Sequence, residues 1–101
     1  MTEAEFLSCI RSNPFNAALL SRLPSLALPD CWLVSGCLFQ TVWNTQCGLP
    51  ATHGIKDYDV FYFDPDTSWA AEDAAIVRGR AALAELGIVV EIRNQARVHL
   101  W

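Results

Sequence analysis

The run Asp57-Tyr58-Asp59-Val60-Phe61-Tyr62-Phe63 sets the tightest limit on what this chain can become. Its aromatic and β-branched content suits a strand in the interior of a sheet. Side chains alternate along a strand, so Asp57 and Asp59 leave one face while Tyr58, Val60 and Tyr62 leave the other. The two Cα atoms then stand about 6–7 Å apart. Bare carboxylates brought to about 4 Å repel by roughly 4 kcal/mol at an effective dielectric near 20. The pair therefore asks for a solvated sheet edge, a capping role, or a hard cation.

The flanking segments supply the rest of a sheet and its cover. Cys31-Trp32-Leu33-Val34 is a short apolar run suited to a buried strand, and it ends at Ser35-Gly36. Leu38, Phe39, Val42 and Trp43 then recur at helical spacing, with Gly48 placed to close the helix. Residues 48–54 have the composition of a surface loop. Asp64-Pro65-Asp66-Thr67-Ser68 turns the chain into a helix over 69–86 with an inner stripe of Ile76, Gly79, Leu83 and Leu86. Gly87 ends it, and Ile88-Val89-Val90-Glu91-Ile92 forms a third strand. Upstream, Thr2-Glu3-Ala4-Glu5 reads as a capping box before a helix that turns Phe6, Leu7 and Ile10 inward. Asn13-Pro14 starts a second helix, which Pro24 and Pro29 break.

With 101 residues, 52% of them hydrophobic and 18% charged, the chain folds as one domain over 1–101. Residues 1–29 form N-terminal helices and 30–101 the core. Strands alternating with helices imply an α/β (α+β) fold. The expected sheet is small and mixed, of three strands or more, with helices mainly on one face and the other face uncovered. Trp32, Trp43 and Trp69 stand at positions compatible with a core. Val98, Leu100 and Trp101 keep the C-terminus apolar, which suggests a continuation of the chain or a partner, including a second copy.

Alternation on the third strand puts Val90 with Ile88 and Ile92 on one face and Glu91 with Val89 on the other. If the apolar triples pack on helices, Asp57, Asp59 and Glu91 share the uncovered face. Each has a plainer reading, the aspartates at a solvated edge and Glu91 paired with Arg93. Ser35-Gly36, where a strand opens into a helix, offers backbone N–H groups and a positive helix end, with no Cβ at Gly36 to obstruct a phosphate. A glycine required only by a tight turn is the plainer reading there.

Taken together, Val34-Ser35-Gly36, Asp57-Tyr58-Asp59-Val60 and Val90-Glu91-Ile92 resemble the polymerase-beta-like nucleotidyltransferase superfamily in order and strand placement. Over about residues 30–101 the chain looks like a bacterial subfamily of nucleotidyltransferase-like proteins whose substrate is unassigned. The resemblance implies metal-dependent transfer of a nucleoside monophosphate from an NTP to a hydroxyl acceptor. Asp57, Asp59 and Glu91 would be the catalytic and metal-holding acids for two Mg²⁺ ions, Glu91 alternatively drawing the proton from the acceptor. Ser35, Gly36 and Lys56 would bind the nucleotide phosphates, while Arg93, Arg97 and His99 are read as surface pairing or packing. Two departures stand out. Ser35 occupies a turn position where the superfamily usually has glycine, and members of the subfamily run on past this endpoint, so the chain reads as a catalytic core truncated at its C-terminus. The competing readings are a catalytically degenerate nucleotide-binding or regulatory module, and a structural domain that docks through its open face.

A formal charge of −4 lacks the basic excess that drives binding to nucleic acid or anionic lipid. No apolar run approaches a membrane span, and the acidic N-terminus lacks the charge of an export signal. Cys9, Cys31, Cys37 and Cys47 include no CxxC pair and are read as reduced, which fits a cytoplasmic protein.

Overall fold

A computed structural model describes residues 1–100, and side chains through Arg97. Helix α1 (Glu3–Arg11) begins where the Thr2 hydroxyl accepts from the Glu5 N–H and donates to the Glu5 carboxylate, both at 3.1 Å. Helix α2 (Pro14–Arg22) starts on Asn13, whose side-chain oxygen accepts from the Phe15 and Asn16 N–H groups. A 3₁₀ turn, Leu23–Leu26, follows at Pro24. The core continues as β1 (Trp32–Val34), α3 (Gly36–Gln46), β2 (Tyr58–Tyr62), α4 (Trp69–Leu83) with a 3₁₀ turn at Ala84–Leu86, and β3 (Val90–Asn94). A last 3₁₀ segment covers Gln95–Leu100. Among the described residues no helix is long and apolar enough to cross a membrane.

The sheet has β2 at its centre. β1 pairs with it antiparallel, Leu33 opposite Val60 and Val34 opposite Asp59. β3 pairs parallel, Val60 opposite Ile92 and Asp59 opposite Glu91. The α+β architecture with a mixed three-stranded sheet is thus the one the sequence implies. Leu33, Tyr58, Val60, Tyr62, Val90 and Ile92 are buried on one face, in a core shared with Leu19, Leu23, Leu26, Cys37, Ala75 and Leu83. The opposite face carries Trp32, Val34, Asp59, Phe61, Glu91 and Arg93, none of them buried. The strand boundaries differ slightly from the sequence reading. β3 runs over 90–94, and Asp57 and Phe63 flank β2.

A buried polar network holds α2, α3 and β2 together. The Asn13 amide donates to the Thr41 and Tyr58 hydroxyls at 3.2 and 3.1 Å, and the Asn16 amide donates to Thr41 and to the Ile10 and Cys37 carbonyls. Phe15 meets the Tyr58 ring edge-on. The far end of β3 is fixed by Asn94. Its amide donates to the Asp64 and Asp66 carbonyls, and its own N–H donates to the carboxylate of Glu72, which Arg97 neutralises. A carboxylate buried to that degree is tolerated because both a cation and an N–H meet it.

Four expectations about which side chains face inward fail. The inward face of α3 is Cys37, Thr41 and Asn44, while Phe39 and Trp43 are 74% and 62% exposed. The helix turns its small and polar stripe inward because Cys37 and Thr41 complete the Asn13–Asn16–Tyr58 network and Asn44 bonds to the carbonyls of Ala51 and His53. Trp32 and Trp69 are also exposed, at 58% and 69%, Trp32 because it stands on the uncovered sheet face and Trp69 because it begins a helix at the surface. On α1, Ile10 is buried while Phe6 and Leu7 stay more than a third exposed. The buried stripe of α4 is Glu72, Ala75, Gly79 and Leu83, with Ile76 and Leu86 only half-buried.

Gly79 sets the approach of α4 to the sheet, since a Cβ there would stand 2.4 Å from Ile92 Cδ1. Alanine favours a helix by about 0.5–1 kcal/mol, whereas an overpacked core costs about 1–3 kcal/mol. Gly79→Ala should therefore lower stability in urea titration by about 1 kcal/mol. In an Ile92→Val background, which removes the clashing methyl, the same change should become neutral or stabilising.

Candidate functional site

The acids meet through strand register. Asp59 on β2 and Glu91 on β3 are directly opposite in a parallel pair, and parity sends both to the uncovered face. Asp57 precedes β2, exposed, on the same side by alternation. Asp59 is half-buried, and its carboxyl lies above the ordinary aspartate range. Loss of hydration is the main cause, followed by the charge of Asp57. The Ser35 hydroxyl opposes this by hydrogen bonding, Glu91 adds a smaller repulsion and Arg93 a smaller attraction. Asp59 thus feels the charges of both Asp57 and Glu91. Glu91 pairs with Arg93 at 3.0 Å, the plainer of the two readings of that residue. Among the described residues no group of three or more His, Cys, Asp or Glu side chains is already gathered to hold a metal ion.

Facing the acids is the start of α3. Ser35 holds φ 73° and ψ −145°, a conformation suited to glycine and costly for a residue with a Cβ, by about 1–3 kcal/mol. Glycine would hold this backbone with less strain. Gly36 is exposed, and a Cβ built on it would meet nothing within 4 Å, so its main chain is open to a ligand. Between this helix start and the chain arriving at β2 lies a cleft of about 230 Å³, with Gly36, Cys37 and Gln40 on one wall and Gly54, Ile55, Lys56 and Asp57 on the other. Lys56 is exposed at its rim. A hollow of about 220 Å³ beside Arg80, Leu83 and Val90 contains no acid in its lining.

Ser35, Gly36, Lys56, Asp57, Asp59 and Glu91 therefore occupy neighbouring parts of one surface, four of them on the cleft or its approach and two on the adjoining strands. Arg97 is withdrawn, paired with Glu72, and the side chains of His99 and Trp101 lie outside the described residues. Sequence reasoning passed over Asn44 and Gln40. Asn44 is fully buried and joins α3 to the loop before β2. The available signal was the Cys37, Thr41, Asn44 spacing, a polar stripe one helix face away from the aromatic one.

The fold and site define an α+β domain whose acid-bearing sheet face lies next to an open glycine at a helix start. The particular family follows from comparison: the nucleotidyltransferase family model matches residues 21–101, and the chain belongs to that family. It is similar over 97% of its length, at 28% identity and a TM-score of 0.75, to a protein whose NMR structure is described as revealing a CCA-adding enzyme head domain. The chain spans 50% of that protein's length. No curated protein matches it.

Two outcomes follow from this geometry. Ser35→Gly should raise stability by about 1 kcal/mol in chemical denaturation, because the backbone strain is relieved at only a modest entropic cost. Asp59 binds its proton more tightly folded than unfolded, so its contribution to stability is most favourable below the ordinary aspartate pKa. That contribution declines as pH rises through the window up to the raised folded value. Asp59→Asn should therefore be more stable than wild type at neutral pH, and the gap should close as pH falls through that window, read as the melting-temperature difference across a pH series.

Proposed function

We propose that this domain transfers a nucleoside monophosphate from an NTP to a hydroxyl acceptor, with Asp57, Asp59 and Glu91 as its acids and Ser35, Gly36 and Lys56 as its phosphate contacts. The observation that carries the reading is the register of β2 against β3, which sets Asp59 beside Glu91 on the face that adjoins the open Gly36. Family membership supports the reaction class, and the similar head domain, a CCA-adding enzyme by description, supports the choice of nucleotide as donor.

Carboxylate oxygens are the donors that a hard cation such as Mg²⁺ prefers, and bringing Glu91 and Asp57 in around Asp59 would let such an ion offset both the lost hydration and the smaller repulsion that raise the Asp59 proton affinity. Mg²⁺ held by Asp57, Asp59 and Glu91 would supply charge neutralisation for the phosphates and leaving group. The chain's own groups do the rest. Main-chain N–H groups at Gly36 and the following turn receive the terminal phosphates, with the helix dipole favouring their charge. Lys56 contributes a cation from the opposite wall. The acceptor oxygen attacks the α-phosphorus in line and the bond to the pyrophosphate oxygen breaks; the hydroxyl proton passes to Glu91 in the alternative in which that carboxylate serves as base instead of holding the cation, and to solvent otherwise. Fixed positions for both reactants account for most of the acceleration. The four free thiols suit a reducing compartment, and we place the protein in the cytoplasm.

A second reading, a nucleotide-binding module without turnover, is favoured by two observations: Ser35 holds a strained conformation, and Glu91 is engaged by Arg93. Calorimetry with ATP, CTP, GTP and UTP separates binding from none. Mg²⁺-dependent binding is expected, abolished by EDTA and by Asp59→Asn. Gly36→Val leaves the fold intact, because nothing crowds that position, and should weaken nucleotide binding by at least about tenfold. Pyrophosphate release together with a nucleotidylated acceptor in mass spectrometry supports transfer. Binding without pyrophosphate release across a panel of hydroxyl acceptors would leave the second reading.

A further inference from the structure

We infer that Asn44 is a positioning residue that sets the separation of the two cleft walls, and through it the affinity for the polyphosphate part of the substrate; this rests on the nucleotide reading above. One wall is the start of α3. The other, Gly54 to Asp57, belongs to the connection between α3 and β2, which contains neither helix nor strand. A segment of that kind keeps a fixed distance from a helix only if something ties it.

Asn44 supplies the tie with its side-chain amide and its main-chain carbonyl. Its side-chain N–H groups donate to the Ala51 and His53 carbonyls at 3.1 and 2.7 Å. Its side-chain oxygen accepts from Gln40 Nε2 at 2.8 Å, and its main-chain carbonyl accepts from the Leu49 N–H at 2.8 Å. Asn44 itself is fully buried, so a polar group of its own left without a partner is costly, although its partners in the loop reach the surface. Gln40 is oriented by the same contact, and its amide nitrogen stands 3.8 Å from where a Cβ on Gly54 would lie. Gly54 takes φ +74°, so the chain turns sharply at that point of closest approach and then delivers Lys56 and Asp57 to the rim. Asn44 thus holds at one end what Lys56 and Asp57 need at the other. A wall ordered in advance spares the ligand the entropic cost of ordering it, a benefit that appears in affinity more than in the rate of the bound complex.

Asn44→Asp keeps the volume and replaces two donors by an oxygen facing two carbonyls. Gln40→Met, at a half-buried position, is the milder variant; it removes the donor that orients the Asn44 amide and retains bulk. In the 101-residue chain the expected results are twofold. Hydrogen exchange at the Leu49, His53 and Ile55 amides should quicken by about tenfold or more, while the β2–β3 ladder keeps its protection. The Kd for Mg–ATP and for inorganic tripolyphosphate should rise about tenfold for Asn44→Asp and by less for Gln40→Met. Where turnover is measured, KM for the nucleotide should rise by a similar factor with kcat within about twofold.

Unchanged exchange in the loop overturns the inference, as does a fall in kcat with KM unmoved. If Asn44→Asp unfolds, Gln40→Met decides by the same readouts. Wild type binding Mg–ATP with both variants equal to it overturns the inference alone. Wild type binding neither ligand removes the nucleotide reading, and the inference falls with it.

Discussion

Everything about this site depends on the pairing of β2 with β3. Because the two strands run parallel with Val60 opposite Ile92, one face buries completely against α3 and α4. The residues between those positions, Asp59 and Glu91, are then forced together on the other side. A slip of β3 by one residue would send Glu91 into the core and Val90 and Ile92 to water, parting Glu91 from Asp59. The burial that stabilises the domain thereby enforces the juxtaposition of the charges. Asn94 guards this register from the end of β3, tying it to the Asp64–Asp66 turn and, through Glu72, to α4.

The cost of the acidic face is visible in the raised proton affinity of Asp59, and the compensation is local. Arg93 sits on Glu91, and the Ser35 hydroxyl favours the ionised aspartate. Ser35 itself adopts a backbone conformation that glycine would hold with less strain. Strain and like-charge repulsion lie within a few residues of one another around the same cleft, while the remainder of the fold is well capped and its buried amides are largely paired. Such conflicts concentrate where a site has to accommodate a ligand.

Much of this was legible along the chain. The parity of Asp57 and Asp59, the isolated acid in Val90-Glu91-Ile92 and the small-residue opening of a helix at Ser35-Gly36 locate the uncovered face from alternation alone. The family match over 21–101 agrees with the likeness carried by those residues. The helix faces were less legible. Leu38, Phe39, Val42 and Trp43 form an apolar stripe of correct period, yet α3 turns Cys37, Thr41 and Asn44 inward. Periodicity measures amphipathic pattern, and a buried polar network reverses the usual sign of that pattern.

What the sequence by itself determined is therefore the set of facts that depend on near neighbours along the chain: strand parity, the Thr2 and Asn13 caps, the glycine turns, and the sign of the charge. Tertiary structure decided what depends on partners far along the chain. It chose which face of α3 is wet, joined Asn13 to Tyr58 across 45 positions, paired Asp59 with Glu91, and placed the two ends of the Asn44 tie. The physical reason is that local backbone preferences are read from a residue's own geometry. A buried hydrogen bond or a shared electrostatic field exists only after folding has brought its members together and excluded water from between them.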